Sequence, residues 1–182
     1  MQRNYYLLML IFIVITSLFI NYSIQQYNCS LKSSINVQNS DQAHKISAKI
    51  NPDNPQIKKY FKKVANVPYK ANYKSNVPKK PSQFWKDNYG DCDDKSTAFA
   101  DYLNRTGAED VKIVIIRHDS NKYSHCAVIW KNHIFDAAAE PPVYNMDPAK
   151  YFKFLKKRGF NLQITYTYPY YKKCYLQRYN QK

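Results

Sequence analysis

The sequence has 182 residues, of which 45% are hydrophobic and 16% aromatic, and this allows one domain with a buried core behind an N-terminal extension. The small number of glycines, three, argues against a scaffold built mainly from loops. The four cysteines contain no Cys-x-x-Cys pair, which argues against a zinc finger, and they are too few for a disulfide framework in a chain of this length. The net charge is +15, but residues 90–149 carry ten acidic and six basic residues between two strongly basic flanks. The flanks favour anionic partners, among them an anionic polymer of the cell envelope.

The N-terminal segment from Tyr5 to Tyr22 is apolar and uncharged. At helical rise it spans roughly 27 Å, close to the thickness of a bilayer core. Arg3 precedes it and the next charged residue is Lys32, so the positive-inside rule places the N-terminus in the cytoplasm and the rest of the chain outside. No small-x-small cleavage site follows. The sequence therefore predicts a single-pass signal anchor in the cell membrane, with secretion as the outcome if the segment is cleaved.

Three regions follow from this pattern. Residues 1–22 are predicted to be the signal anchor, residues 23–50, rich in Ser, Asn and Gln, a flexible tether, and residues 51–182 the domain.

Two helical segments are predicted at the start of the domain. Asn54-Pro55 has the cap and first-turn pattern of a helix start, and apolar residues then recur on one helix face. That face consists of Ile57, Phe61 and Val64. Residues 66–81 contain three prolines and predict an extended arm, after which Ser82–Lys86 predicts a short helical turn.

The residues around Cys92 are the most informative stretch of the chain. Cys92 follows Gly90-Asp91 and precedes a segment, Asp93 to Arg105, whose apolar residues recur at helical spacing. The carboxylates that can cap this helix are those of Asp91, Asp93 and Asp94. A thiol at a helix N-terminus has a stabilised thiolate, which favours a nucleophile, but three carboxylates oppose this effect and require a cationic partner. The alternative is a buried structural cysteine beside a capping cluster.

Strands are predicted for much of the remaining chain. β-Branched and alternating residues cover Val111–Arg117, Tyr123–Trp130, His133–Ala138 and Phe160–Tyr168. Asp147-Pro148 predicts the start of a helix that runs to Arg158 and ends at Gly159. The tail beyond Pro169 is predicted to be an edge strand or irregular.

The predicted hairpin places a histidine beside an aspartate. If Lys131-Asn132 is a two-residue turn, the residues that flank it pair with each other. Alternation then puts His125 and Asp136 on one face as diagonal neighbours, within reach of a side-chain hydrogen bond. Cys126 points to the opposite face, toward the core.

Cys92, His125 and Asp136 form the set that thiol nucleophilic catalysis needs. The histidine takes the thiol proton and so supplies the missing cation, the aspartate orients the ring, and backbone N–H groups near the thiol hold an oxyanion. Side-chain candidates for the oxyanion site are Gln83, Trp85 and Asn88. No metal or cofactor is expected. A zinc site made of Cys92, His125 and Cys126 is disfavoured, because His125 and Cys126 are adjacent in a strand and point to opposite faces. A calcium loop is disfavoured because the acidic cluster beside Cys92 lacks the glycine and the distal glutamate of an EF-hand.

The same residues carry a family resemblance. Residues 84–140 resemble the transglutaminase-like, papain-like cysteine superfamily. The resemblance lies in the segment Tyr89–Ser96 with the helix and strand that follow it, in Ser124-His125 on a second strand and in Phe135-Asp136 on a third. The resemblance implies an α+β fold in which the catalytic cysteine starts a helix packed on an antiparallel β-sheet, here behind the N-terminal membrane helix.

The resemblance also implies a function. Cys92, His125 and Asp136 would be a catalytic triad acting on amide bonds through a thioester. With the export signal, this predicts a transglutaminase-like cysteine peptidase or amidase of the cell envelope, whose substrate is a protein or a cell-wall peptide. Two alternatives stay open: a protein-glutamine acyltransferase on the same triad, and a non-catalytic surface binding domain with an inert cysteine. Nucleic-acid binding conflicts with export and has no recognisable motif.

Overall fold

The computed structural model of the chain describes residues 50–71, 77–120 and 124–176. The predicted signal anchor lies outside these ranges, and so does the predicted tether except for Ile50. Within the described ranges, no helix is both long and apolar enough to cross a bilayer.

The described elements are helices and strands in mixed order. The helices are α1 (Pro55–Ala65), α2 (Pro81–Asp87), α3 (Cys92–Arg105), α4 (Pro148–Lys156) and α5 (Tyr168–Tyr171), with a π-helical turn at Lys172–Leu176. The strands are β1 (Lys112–His118), β2 (Ser124–Trp130), β3 (His133–Asp136), β4 (Val143–Met146) and β5 (Phe160–Thr167). The fold is α+β, as the sequence predicts.

The described strands form one antiparallel sheet of five in the order β4-β3-β2-β1-β5. Lys131 and Asn132, between β2 and β3, have φ angles of 47° and 58°, the left-handed pair of a type I′ turn. Trp130 therefore pairs with His133, in the register that a two-residue turn predicts.

The two faces of the sheet pack against different helices. Cys126 and Trp130 of β2 point to one face, where they belong to the core that includes residues of α1 and α3. Ala127 points to the other face and packs with Tyr151 and Leu155 of α4. Cys126 is buried in the core, as its position in the hairpin predicts. The sheet thus lies between a layer with α3 and a layer with α4.

Helix α1 forms where its cap predicts. Asn54 accepts a hydrogen bond from the N–H of Gln56 at 2.8 Å, and Pro55 occupies the first helical position. The residues that α1 buries are Ile57, Phe61 and Val64. The ring of Phe61 meets Phe99 of α3 edge-on, with 5.3 Å between ring centroids, so aromatic packing fixes α1 beside α3.

The end of the described chain differs from the prediction. After β5 the chain forms α5 and the π-helical turn, neither an edge strand nor an irregular tail. Tyr168 and Tyr171 are buried, and the hydroxyl of Tyr168 donates to Oδ1 of Asp101 in α3 at 3.1 Å. A buried tyrosine with a hydrogen-bonded hydroxyl anchors a segment that local patterns leave undetermined.

Candidate active site

Cys92 is the first residue of α3. The carboxylate of Asp91 accepts the N–H of Asp94 at 3.4 Å, and the carboxylate of Asp94 accepts the N–H of Asp91 at 3.3 Å. This reciprocal capping box is what starts the helix at the cysteine. Cys92 is free and partly buried, and it packs against the edge of the core that includes α3. It lies at the positive end of the helix dipole.

The loop that leads into α3 is held on two sides. The N–H of Gly90 donates to the carbonyl of Pro68 at 3.1 Å, and the N–H of Lys70 donates to the carbonyl of Gly90 at 3.0 Å. A Cβ at Gly90 would lie 2.7 Å from Cβ of Asp94 and 2.9 Å from the ring of Phe84. The part of the predicted arm from Pro68 to Lys70 therefore lies against this loop, and glycine is the residue that permits the close approach.

His125 and Asp136 meet where β2 begins and β3 ends. Nε2 of His125 lies 2.7 Å from Oδ2 of Asp136. The side chain of His125 is 21% exposed, whereas that of Asp136 is 2% exposed. This is the hydrogen bond that the hairpin register predicts.

Cys92 also acts on the imidazole of His125, and its influence raises the pKa of the ring. Because Nε2 faces Asp136, Nδ1 is the ring nitrogen that remains for the thiol. Burial by itself would lower the pKa of His125, but the hydrogen bonds and negative charges of Asp136 and Cys92 outweigh it and raise the pKa to about 10. The raised pKa favours the imidazolium form of His125, the cation that Cys92 requires. The structure brings all three predicted residues together, and their catalytic roles stay a prediction.

The carboxylate of Asp136 is held by four hydrogen bonds. Oδ2 accepts from His125 and from the hydroxyl of Tyr151, each at 2.7 Å. Oδ1 accepts from the N–H groups of Ala138 and Ala139, each at 3.0 Å. Burial would raise the pKa of Asp136, but these hydrogen bonds and the charge of His125 hold it below its usual range. Asp136 is therefore an anion with a fixed orientation.

Three residues that the sequence analysis does not single out also touch this site. Tyr151 binds the carboxylate of Asp136, and Lys95 and Ser96 bind backbone carbonyls next to it and to His125. The sequence does contain one indication that Tyr151 is buried, because it lies four residues before Leu155 on the same face of α4. Such spacing indicates a core residue and gives no sign of its hydroxyl partner.

The carboxylates beside Cys92 form a compact cluster. Oxygen atoms of Asp91, Asp93 and Asp94 all lie within 4.8 Å of one another. Burial, the hydrogen bond with Asp91 and the neighbouring charges hold the pKa of Asp93 well above its usual range. Burial also raises the pKa of Asp94 to about 6, against the hydrogen bond from the N–H of Lys79. The cluster thus retains a proton near neutral pH, so it opposes a Cys92 thiolate less than three full charges would.

The same cluster has the chemistry of a hard-cation site. Carboxylate oxygens are the ligands that Ca²⁺ prefers, although three residues supply fewer than the roughly six to eight oxygens it takes. Asp91 and Asp94 already use their carboxylates in the capping box of α3. Asp94 also accepts a hydrogen bond from the N–H of Lys79 at 2.6 Å.

The side-chain candidates for an oxyanion site have other partners. Nε1–H of Trp85 donates to the hydroxyl of Tyr60 at 3.1 Å, and the amide of Gln83 donates to Asp87. Asn88 follows α2 in the left-handed conformation, with φ 54°. Backbone donors are better placed, because the N–H groups in the first turn of α3 have no acceptor within the helix.

A depression of about 440 Å³ borders the loop before Cys92. It is lined by Lys63, Asn66, Val67, Pro68, Trp85 and Asn88. The ammonium of Lys63 lies 4.6 Å from the centroid of the Trp85 ring, a cation–π distance. Pro68 is also the partner of Gly90, so one wall of the depression is bonded to the loop that carries the thiol.

The sequence matches no protein-family model, and a comparison with curated proteins found no significant match. A comparison with solved structures found three structures of LapG from Legionella pneumophila. The calcium-bound form is 16% identical, with a TM-score of 0.41, over 49% of this chain and 56% of the LapG chain. The EGTA-treated form is 15% identical, with a TM-score of 0.43, over 56% and 60%.

A third LapG structure is 15% identical, with a TM-score of 0.43, over 56% of this chain and 62% of the LapG chain. In each case the match spans less than two thirds of the LapG chain. A similarity of this size assigns no role to any residue of this chain.

Proposed function

We propose that this chain is a thiol-dependent hydrolase that cleaves peptide or isopeptide bonds, with Cys92, His125 and Asp136 as its triad. The observation that carries the proposal is the 2.7 Å hydrogen bond between His125 and Asp136, with Cys92 at the start of α3 acting on the same imidazole and raising its pKa. A partly exposed thiol at a helix N-terminus, paired with an imidazolium, is an activated nucleophile.

Acylation follows from the positions of these groups. In the thiolate–imidazolium pair the thiol proton already lies on His125, and the thiolate Sγ of Cys92 forms a bond to the carbonyl carbon of the amide. The carbonyl electron pair moves to oxygen, and first-turn N–H groups of α3 stabilise that oxyanion. The oxyanion then collapses, the imidazolium protonates the leaving amine as the C–N bond breaks, and a thioester to Cys92 remains. Asp136 stays ionised throughout and stabilises the imidazolium.

Hydrolysis of the thioester uses the same groups. His125 takes a proton from water, the oxygen bonds to the acyl carbon, and the C–S bond breaks. The proton passes from His125 to the departing sulfur, and the free acid leaves. The partial exposure of His125 supports access of water to this step.

We propose that the substrate is a protein or cell-wall peptide, and that a segment of it lies in the depression between α1 and α2. The amide and ammonium groups of Asn66, Asn88 and Lys63 and the ring of Trp85 suit a peptide with polar groups. We also propose that the enzyme acts in the cell envelope, outside the membrane. The support for that location is the apolar segment Tyr5–Tyr22 and the residues that flank it.

Alkylation of the full-length chain with iodoacetamide, followed by mass spectrometry at each cysteine from pH 5 to 9, tests the thiolate. We expect fast labelling of Cys92 well below pH 8 and slowing by about tenfold or more in His125→Ala, because thiolate is the reactive form. Cys126 is an internal standard, since burial raises the pKa of its thiol well above the usual range.

His133→Ala is the matched control, since His133 lies on the next strand and is outside the proposed triad. It should leave the labelling of Cys92 unchanged. If Cys92 labels as slowly as Cys126 and His125→Ala has no effect, the enzyme proposal is wrong and a non-catalytic binding domain remains.

A peptide library that includes branched Gln–Lys isopeptides tests the reaction itself. Mass spectrometry should show cleavage products with the wild type and none with Cys92→Ser. Addition of cadaverine separates hydrolysis from acyl transfer, because a transferase joins the amine to the acyl product and a hydrolase releases the acid.

A further inference from the structure

Ser96 connects the helix that carries the thiol to the strand that carries the histidine. Its side chain is buried, with 3% exposure, and its hydroxyl donates to the carbonyl of Cys126 at 3.0 Å. Cys126 directly follows His125 in β2. The hydrogen bond therefore fixes the backbone beside His125 to a point one turn after Cys92 in α3.

Lys95 makes the equivalent connection to the aspartate. Its side chain is buried, with 4% exposure, and Nζ donates to the carbonyl of Ala137 at 3.3 Å and to that of Ala65 at 2.9 Å. Ala137 directly follows Asp136, and Ala65 is the last residue of α1. One ammonium thus joins α3, the end of α1 and the turn after β3.

A buried lysine of this kind has a cost. Taking an ammonium out of water is unfavourable unless its donors are satisfied, and the partners described for Nζ are carbonyl oxygens. Burial lowers the pKa of Lys95, while the charge of Asp136 raises it. The attraction of Asp136 for this ammonium offsets part of the desolvation of Lys95.

We propose that Lys95 and Ser96 are positioning residues that set the distance between Cys92 and the His125–Asp136 pair. With a single contact, α3 could still rotate about that contact relative to the β2–β3 hairpin. Two contacts from consecutive residues of one rigid helix, one beside the histidine and one beside the aspartate, fix both translation and rotation. Transfer of the thiol proton needs hydrogen-bond distance between sulfur and ring, and this pair of contacts holds that distance.

This inference rests on the proposed function, since it gives the two residues a role in thiol activation. Its test uses Ser96→Ala and Lys95→Met in the full-length chain, with the pH profile of Cys92 alkylation as readout. We expect the rate at pH 6 to fall about tenfold in each variant, because misplacement of reacting groups by about 1 Å can cost about 100-fold. The midpoint of the profile should move to higher pH.

Thr97→Val is the matched control. Thr97 is fully buried in the same helix, and among the described residues its hydroxyl has no hydrogen-bond partner. Replacing it with a side chain of the same shape removes no contact to the site, so the profile should stay that of the wild type. A purely structural role of Ser96 would lower the melting temperature and leave the alkylation profile unchanged.

The outcomes separate the two proposals. If the wild type shows an activated Cys92 and Ser96→Ala keeps its profile while folded, the positioning role is wrong and the triad stands. If Cys92 of the wild type is not activated, the proposed function fails and the positioning role fails with it. Ser96→Ala decides alone if Lys95→Met does not fold, because it removes one oxygen atom and introduces no bulk.

Discussion

The hydroxyl of Tyr151 and Nε2 of His125 each lie 2.7 Å from the same atom, Oδ2 of Asp136. The tyrosine reaches this oxygen from α4, across the face of the sheet opposite to the layer that contains α3. Hydrogen bonds to a carboxylate stabilise its charged form. Tyr151 therefore supports the negative charge that keeps His125 protonated.

Replacement of this tyrosine by phenylalanine should weaken the site and preserve the fold. Tyr151→Phe leaves a buried carboxylate with one hydrogen bond fewer, and we expect the free energy of unfolding to fall by about 1 kcal/mol. The pKa of His125 should fall with it, and alkylation of Cys92 at pH 6 should slow by up to about tenfold, the equivalent of about one pKa unit. Denaturant unfolding and mass-resolved alkylation measure the two effects.

Tyr168→Phe is the control for this experiment. Tyr168 is buried and donates to Asp101 at 3.1 Å, so the variant loses a comparable hydrogen bond outside the triad. It should lose similar stability and keep the reactivity of Cys92. Equal slowing in both variants would show that reactivity follows general stability and not the Asp136 contact.

Asp136→Asn tests the charge that orients the histidine. An amide of the same shape cannot stabilise an imidazolium, so the pKa of His125 should fall toward its ordinary value. We expect alkylation of Cys92 at pH 6 and peptide cleavage to fall on the order of 100-fold or more, as for an aspartate that fixes the tautomer of a catalytic histidine. A folded Asp136→Asn variant with the wild-type profile would make Asp136 structural only.

The shifted pKa values also predict how stability depends on pH. The pKa of His125 is raised from 6.5 to about 10, so its stabilising effect is complete below pH 6.5 and is lost as the pH rises toward 10. The pKa of Asp136 is lowered from 3.8, so its effect is present above pH 3.8 and is lost in more acidic solution. The difference in free energy of unfolding between wild type and His125→Ala should therefore be largest between pH 3.8 and pH 6.5.

Denaturant unfolding of both proteins at pH 5, 7 and 9 measures that difference. It should shrink from pH 7 to pH 9. A difference independent of pH would mean that the His125 ring stabilises the fold by packing and not by its charge.

Alanine substitutions at two glycines should distinguish a loss of stability from a loss of Cys92 reactivity. In Gly90→Ala the added Cβ would lie 2.7 Å from Cβ of Asp94, so we expect a loss of about 1–3 kcal/mol and a displaced, less reactive Cys92. In Gly107→Ala the nearest atom is 3.7 Å away, but φ is +86°, and the strain should cost about 1 kcal/mol. Melting curves and alkylation should show reactivity lost in Gly90→Ala alone. A fully reactive Gly90→Ala would contradict the close fit of this loop.

Features set by residues near one another in the chain could be predicted from the sequence. The cap at Asn54, the first turn around Cys92 and the turn at Lys131-Asn132 each involve a few consecutive residues. The contact between His125 and Asp136 follows from the length of that turn and the alternation of side chains. For this reason the pairing of His125 with Asp136 needed no knowledge of the remaining fold, whereas the approach of Cys92 to this pair depends on how α3 packs against the sheet.

Contacts between distant segments could not be predicted in this way. Spacing shows that Tyr151 faces the core, but the return of α4 across the sheet decides that its hydroxyl meets Asp136. The charge of Lys95 suggests a surface residue, yet the fold buries it against two carbonyl groups. Strand β4 is short and its side chains are only partly buried, which leaves too little alternation for a sequence pattern to show.

The helix that supplies Tyr151 comes after all three residues of the proposed triad in the chain. A nascent polypeptide that has emerged only as far as Asp136 already contains the thiol, the imidazole and the carboxylate, but it lacks α4 and also β5, the neighbour of β1. We therefore expect the thiol to reach full reactivity only after α4 and β5 have been synthesised. Alkylation of ribosome-bound chains of increasing length would show reactivity at Cys92 rising after Tyr151 emerges. Such timing would make the reactivity of Cys92 depend on completion of the sheet and of the layer that contains α4.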